Sequence, residues 1–191
     1  EVVGNEHANR YYPEISGVAR SYNFYPPEKA KPEDGVVNLA MGFGKTIVDG
    51  GVSWAYSPKS PKKDPPFKSI RDMLKQTQLK FWALNMGKLP EYDPINETEF
   101  MFEKYITEAE DDGTLKHLVS TYDAASDRVW TGMSGNGPRI LTFAPILKTE
   151  VFPLNDLVKQ LLQISEEAYE SPVEIEFAVT IDETNNKIRF G

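Results

Sequence analysis

Cysteine is absent from the 191 residues, and histidine occurs only twice. Without cysteine the chain forms neither disulfides nor thiolate metal sites, and a cytoplasmic location is permitted. His7 and His117 are too few and too widely separated to suggest a metal cluster or a histidine relay. Long apolar runs are also missing, since no segment approaches the roughly 20 residues that a membrane helix needs. We therefore expect a cytoplasmic protein that has no membrane partner.

Positive charge is scarce relative to negative charge. The chain has 21 basic and 29 acidic residues, which gives a net charge of −8. A surface of that sign repels a phosphate backbone, so no nucleic-acid partner is expected. The basic cluster at residues 59–63 contains no aromatic residue and is interpreted as a solvated loop. ATP is not excluded, because a metal ion and a few local cations can offset its phosphates.

Short apolar runs separated by turns predict a mixture of strands and helices. The predicted strands are 36–41, a run within 46–56 that a turn at 49–51 interrupts, 100–106, 115–122, 128–133, 139–143, 173–181 and a final strand after a turn at 182–186. A short helix is predicted at 69–79. The clearest helix has an apolar face of five residues, namely Leu154, Leu157, Val158, Leu161 and Leu162. This order predicts an α+β fold with a mainly antiparallel sheet packed by helices.

The strand at residues 172–179 carries the most informative pattern. Side chains of a strand alternate between its faces, so Val173, Ile175, Phe177 and Val179 share an apolar face. Glu174 and Glu176 share the other face, roughly 7 Å apart. Two carboxylates at this spacing repel each other unless a cation lies between or beside them, and Mg²⁺ takes such oxygen ligands. An ordinary amphipathic strand with solvated glutamates is the alternative, and the spacing alone does not exclude it.

The residues Pro-Val-Glu-Ile-Glu-Phe, which begin at residue 172, resemble a strand of the ATP-grasp domain in phosphoenolpyruvate synthases and pyruvate phosphate dikinases. The resemblance implies that Glu176 is a magnesium ligand and that Glu174 lies beside the ATP phosphates and assists with the metal. In that family the next hairpin returns with a glutamine and an arginine that contact metal and phosphates. The present sequence ends at Gly191, before such residues.

A second resemblance to the same family lies at the start of the chain. It is carried by Glu-Val-Val-Gly-Asn at residues 1–5 and by Ser-Gly-Val-Ala at residues 16–19. It implies that the backbone near Val2 and Val3 faces adenine. It also implies that Gly17 and Val18 line the nucleotide pocket. The match is partial, because Arg-Ser-Tyr-Asn-Phe-Tyr-Pro follows where the family has Phe-Thr-Arg-Asn-Pro.

The segment Gly-Phe-Gly-Lys-Thr at residues 42–46 ends like a P-loop. A P-loop also needs a glycine where Leu39 stands and a helix after the lysine, whereas residues 47–51 predict strand and turn. The segment instead resembles the Gly-Leu-Gly-Glu turn of the same family, which implies that Gly42 and Gly44 contact the nucleotide. Lys45 stands where that family has glutamate. A lysine there would neutralise phosphate charge in a catalytic role, or the metal is held differently.

The resemblance covers residues 1–56 and 150–191. We expect residues 57–149 to be a family-specific insertion within a single domain, 1–191. The chain opens in an apolar run and stops at a strand barely begun, so we expect it to be the C-terminal part of an ATP-grasp domain. The N-terminal half of that domain and a phosphohistidine domain would then belong to the same longer chain, and this part alone would be inactive.

The resemblance also implies a reaction. Members of the family use Mg²⁺ and ATP to phosphorylate a histidine on another domain, which then phosphorylates pyruvate to phosphoenolpyruvate. Two alternatives stay open at this point. One alternative is a non-catalytic α+β binding module, and the other is an ATP-grasp domain of the glucan dikinase type. The sequence does not distinguish a synthase from a dikinase.

Overall fold

A computed structural model describes residues 3–27, 30–65, 67–88, 90–91, 95, 100–182, 185 and 187–191. The strands within these ranges are β1 (Asn5–His7), β2 (Arg10–Tyr12), β3 (Ile15–Arg20), β4 (Val36–Ala40), β5 (Trp54–Tyr56), β6 (Lys80–Asn85), β7 (Met101–Tyr105), β8 (Val119–Asp123), β9 (Arg128–Thr131), β10 (Arg139–Leu141), β11 (Glu174–Asp182) and β12 (Lys187–Phe190). The α-helices are α1 (Lys45–Val48), α2 (Ile70–Lys75), α3 (Ile106–Asp111), α4 (Ala144–Leu147) and α5 (Leu154–Tyr169), and a 3₁₀ turn spans Pro32–Asp34.

Three antiparallel sheets organise the described residues. The five-stranded sheet has the order β12-β11-β3-β4-β5, so the first and last parts of the chain form it together. A four-stranded sheet has the order β1-β2-β6-β7, and a three-stranded sheet has the order β10-β8-β9. The predicted α+β class with a mainly antiparallel sheet is confirmed.

Helix α5 covers one face of the five-stranded sheet. Leu154, Val158 and Leu162 are buried in the same apolar cluster as Phe177 of β11. Ser and Glu residues occupy the opposite side of the helix, so the 3.6-residue period predicted its buried stripe correctly. Leu157 lies at the border of that stripe and keeps 37% of its surface exposed.

The strand predicted to begin at residue 46 is wrong, whereas the turn predicted at residues 49–51 is confirmed at 49 and 50. Lys45–Val48 is a short helix, held by backbone N–H donation from Ile47 and Val48 to the carbonyl of Gly44 at 2.8 and 3.1 Å. Val48 is 65% exposed, so its apolar side chain lacks the buried sheet neighbours that stabilise a strand. The second apolar run becomes a strand only from Trp54 onward.

Two further helices interrupt segments that were predicted as strands or loops. Helix α3 begins at Ile106 directly after β7, and its Ile106 and Ala109 are buried. The predicted strand at residues 115–122 begins only at Val119, because residues 112–118 form turns. Phe143, between β10 and α4, adopts the left-handed conformation with φ of 52°. A hydrophobic pattern does not predict this local conformation.

The middle of the chain shares its core with the first strands. Strand β6 pairs with β2, and Phe81 of β6 lies 4.7 Å, ring centroid to ring centroid, from Tyr12 of β2. Asp112 accepts two hydrogen bonds from Arg10, at 2.6 and 3.1 Å, and one from the Tyr12 hydroxyl at 2.8 Å. The hydrogen bond to Asp112 raises the pKa of Arg10. These contacts fasten β2 to the turn that follows α3.

Candidate functional site

The two glutamates of β11 lie on the face of the five-stranded sheet that is opposite to α5. We call this the carboxylate face. Strand alternation and the register of β3, β4 and β11 assign its members. They are Glu174, Glu176 and Ala178 of β11, Ser16, Val18 and Arg20 of β3, and Val36, Asn38 and Ala40 of β4.

Glu176 is exposed and lies directly opposite Val18, which is only 3% exposed. Within the described ranges, no group donates a hydrogen bond to the Glu176 carboxylate or forms an ion pair with it. Among the same described residues, no group of three or more His, Cys, Asp or Glu side chains is arranged so that it could hold a metal ion by itself. A free carboxylate fits Mg²⁺, which commonly takes one or two protein carboxylates and completes its shell with water and phosphates.

Glu174 differs from Glu176 because it already has a cationic partner. It lies directly opposite Arg20 in the antiparallel pairing, and the two side chains form an ion pair. Their side chains are 48% and 39% exposed. Arg20 is therefore the cation beside the paired carboxylates. Sequence reasoning missed it, because a strand pattern gives the face of a residue but not its neighbour on another strand.

Gly17 and Val18 point in opposite directions from β3. A Cβ atom added to Gly17 would lie 2.2 Å from the ring of Phe177, on the face that α5 covers. Glycine is required there so that the ring can lie against the backbone. Val18 lies on the carboxylate face between Glu176 and Asn38. Of the two, only Val18 presents a side chain to the carboxylate face.

The glycine turn at residues 42–44 folds over the end of the carboxylate face nearest Ser16. The Ser16 hydroxyl donates a hydrogen bond to the Gly42 carbonyl, and the Phe43 amide donates to the Trp82 carbonyl at 3.0 Å. Gly42 has φ of 78°, and a Cβ atom there would lie 2.6 Å from the Trp82 oxygen. The turn is therefore fixed to both β3 and β6, and a side chain at Gly42 would break the fit.

Lys45 begins α1 directly after this turn. Its Nζ atom lies 2.6 Å from the Asp49 carboxylate, one helical turn later, and 5.5 Å from the ring centroid of Trp82. Leu39, at the position where a P-loop requires glycine, is a fully buried residue of β4. The short helix after Lys45 therefore does not create a P-loop.

Val3 lies beside the last described strand. A Cβ atom added to Gly191 would be 2.4 Å from Val3 Cγ2, and Gly191 exchanges two backbone hydrogen bonds with Ala178. Ala178 is two residues from Glu176 on the same face. Val3 therefore lies beside the carboxylate face, at the edge of the five-stranded sheet that β12 forms. Val2, which was predicted with it, lies outside the described residues.

The fold and the site define an ATP-grasp-like α+β domain with a carboxylate pair and a glycine turn on one sheet face. The family described as "Pyruvate phosphate dikinase, AMP/ATP-binding domain" matches residues 2–190, and the chain belongs to it. The match includes residues 57–149, for which the motifs gave no resemblance. Searches of curated proteins and of solved structures each found no match. The described helices include none that is long and apolar enough to cross a membrane.

Proposed function

We propose that the carboxylate face binds Mg-ATP as part of an ATP-dependent phosphotransferase. The enzyme would phosphorylate a histidine on another domain and then pass the phosphoryl group to pyruvate, giving phosphoenolpyruvate. The observation that carries this proposal is the exposed carboxylate of Glu176, which has no partner among the described residues and shares one face with Glu174 and the glycine turn. Membership of an AMP/ATP-binding family supports the nucleotide part.

In this proposal Glu176 is the principal protein ligand of Mg²⁺, and Glu174 lies beside the phosphates and assists. Bound Mg²⁺ supplies neutralisation of phosphate charge. The protein's own part is to fix the position of the phosphates, because phosphoryl transfer is catalysed mainly by positioning and by electrostatic stabilisation. Glu176 suits this role because buried Val18 supports the sheet opposite it.

The remaining predicted residues take roles around the nucleotide. Gly42 and Gly44 allow the backbone to approach the phosphates closely. The side chain of Val18 and the backbone of Gly17 line the nucleotide pocket. Val3, together with Val2, lies toward adenine. Lys45 is the proposed catalytic cation. To reach a phosphate, its amine would have to leave Asp49, which lies 2.6 Å away.

Further parts of the enzyme are proposed on the family alone. They are the N-terminal half of the ATP-grasp domain and the phosphohistidine domain, with pyruvate as the final acceptor and the cytoplasm as location. Residues 57–149 are proposed as a family-specific insertion in a single domain. Either a synthase or a dikinase would use the same ATP site, since the two differ in what accepts the second phosphoryl group.

Calorimetric titration of the complete gene product with Mg-ATP tests the proposal. We expect Glu176→Gln to weaken Mg-ATP binding by about 10- to 100-fold, because a charge-assisted contact contributes about 1.5–3 kcal/mol. Glu6→Gln is the matched control, since Glu6 is an exposed strand glutamate on β1, which belongs to the four-stranded sheet. Absence of Mg-ATP binding by the unmodified protein would favour the non-catalytic binding module.

A further inference from the structure

We propose that Arg20 binds the ATP phosphates and that Glu174 holds it in position while the site contains no nucleotide. Binding of Mg-ATP would exchange this ion pair, so that Arg20 turns to a phosphate and Glu174 turns to the metal. The inference rests on the proposed function, because it adds a cation to the same site.

The strand register positions Arg20 for this role. Arg20 lies directly opposite Glu174, and Val18 lies directly opposite Glu176. Arg20 and Glu176 are therefore diagonal neighbours on one face, at about 7–8 Å. A phosphate bound near a metal at Glu176 is within reach of the long arginine side chain. The planar guanidinium can also donate bidentate hydrogen bonds to two phosphate oxygens.

The present partner of Arg20 is easily exchanged. The Arg20 and Glu174 side chains are 39% and 48% exposed, and an ion pair exposed to water contributes only about 0–1 kcal/mol. Lys45, the other cation near the site, is paired with Asp49 within its own helix and also lies against Trp82. Of the two cations, Arg20 has its side chain on the carboxylate face.

The two carboxylates have a cation beside them both before and after the proposed exchange. Glu174 and Glu176 share one face, and two nearby carboxylates need a cation beside them. Arg20 provides that cation in the nucleotide-free protein. When Mg²⁺ arrives with ATP, the metal takes over this role, and Arg20 is released for the phosphates. ATP without Mg²⁺ brings no replacement, so Glu174 continues to compete for Arg20.

Titrations of the complete gene product with Mg-ATP, metal-free ATP and adenosine test this exchange. We expect Arg20→Met to weaken Mg-ATP binding by about tenfold or more and to leave adenosine binding within about twofold. Arg20→Lys should be intermediate, because lysine keeps the charge but loses the planar contact. Arg128→Met, at an exposed arginine of β9 in the three-stranded sheet, is the matched control.

Glu174→Gln tests the exchange itself. It should strengthen binding of metal-free ATP by about two- to fivefold, because Arg20 no longer has a competing carboxylate. The double variant Arg20→Met with Glu174→Gln should lose this gain.

Equal weakening of ATP and adenosine by Arg20→Met, or no effect on either, would overturn the inference. Lack of a gain in Glu174→Gln would overturn the exchange. If the unmodified protein binds neither ATP, with or without Mg²⁺, nor adenosine, the proposed function itself fails.

Discussion

Two groups of charged residues, one on the five-stranded sheet and one around Asp112 in the middle of the chain, are enclosed to very different degrees. On the carboxylate face, Glu176 has no partner within the described residues and the Arg20–Glu174 pair is largely exposed. In the middle of the chain, the Asp112 side chain is only 9% exposed and accepts hydrogen bonds from Arg10 and Tyr12. Exposed, weakly paired charges are available to a ligand, whereas enclosed and fully paired charges hold strands together.

The largest loss of stability is expected at Gly17 in the five-stranded sheet. Gly17→Val should lower the free energy of unfolding by about 3 kcal/mol or more, because even a Cβ atom would lie 2.2 Å from the Phe177 ring. Urea unfolding followed by circular dichroism measures this loss. Combining Gly17→Ala with Phe177→Leu should recover part of the stability that Gly17→Ala loses alone.

Gly44→Ala is the control for that experiment. Gly44 has φ of −59°, and its added Cβ atom would meet Ser16 Cβ at an ordinary 3.7 Å. We expect a change of no more than about 0.5 kcal/mol. A similar loss in both glycine variants would contradict the specific role of the Phe177 contact.

The next largest effect is expected in the middle of the chain. Asp112→Ala should cost about 1–3 kcal/mol of unfolding free energy, because Arg10 and Tyr12 lose their shared acceptor and keep only the longer contacts to Glu108 and Thr114, at 3.4 and 3.2 Å. Urea unfolding measures the loss. Asp111→Ala, at the exposed neighbouring aspartate, should change stability by about 0.5 kcal/mol or less. Unchanged nucleotide affinity in Asp112→Ala would sharpen the contrast between the two regions.

The smallest effects concern two aspartates, Asp34 in the 3₁₀ turn before β4 and Asp72 in helix α2. The backbone amide of Lys31 and the amine of Lys59 lower the pKa of Asp34, while the amide of Lys68 and the side chain of Gln76 lower that of Asp72. Each aspartate therefore contributes stability above its unfolded pKa and loses it as the pH falls through the folded pKa. Carboxyl NMR titration should show that Lys59→Met raises the pKa of Asp34 and leaves that of Asp72 unchanged. Equal shifts at both would contradict a local cause.

Long, regular segments were predictable from the sequence. Strand β11 and helix α5 follow their periods of 2 and 3.6 residues closely, because burial on one face determines both. Helix α1 was not predictable. Its four residues, beginning at Lys45, are held by a glycine turn fixed to Ser16 and Trp82, which are distant in sequence.

The candidate site was predictable only in part. The resemblance selected Glu174, Glu176 and the glycine turn, which the fold does bring to one face. Arg20 was missed, because its position opposite Glu174 depends on the register of two distant strands. The opposite orientations of Gly17 and Val18 follow from strand alternation, but which of them faces the core depends on Phe177 across the pairing.

The pairing of β3 with β11 has a consequence for the order of folding. The Arg20–Glu174 contact joins residues 154 positions apart, and the Ile181 amide donates to Glu14 across 167 positions. One hydrogen-bonding edge of β3 therefore stays unpaired until β11, more than 150 residues later, has been synthesised. Contacts between such distant residues slow folding and prolong the exposure of a bare strand edge. The carboxylate face can thus form only after both β3 and β11 have been synthesised.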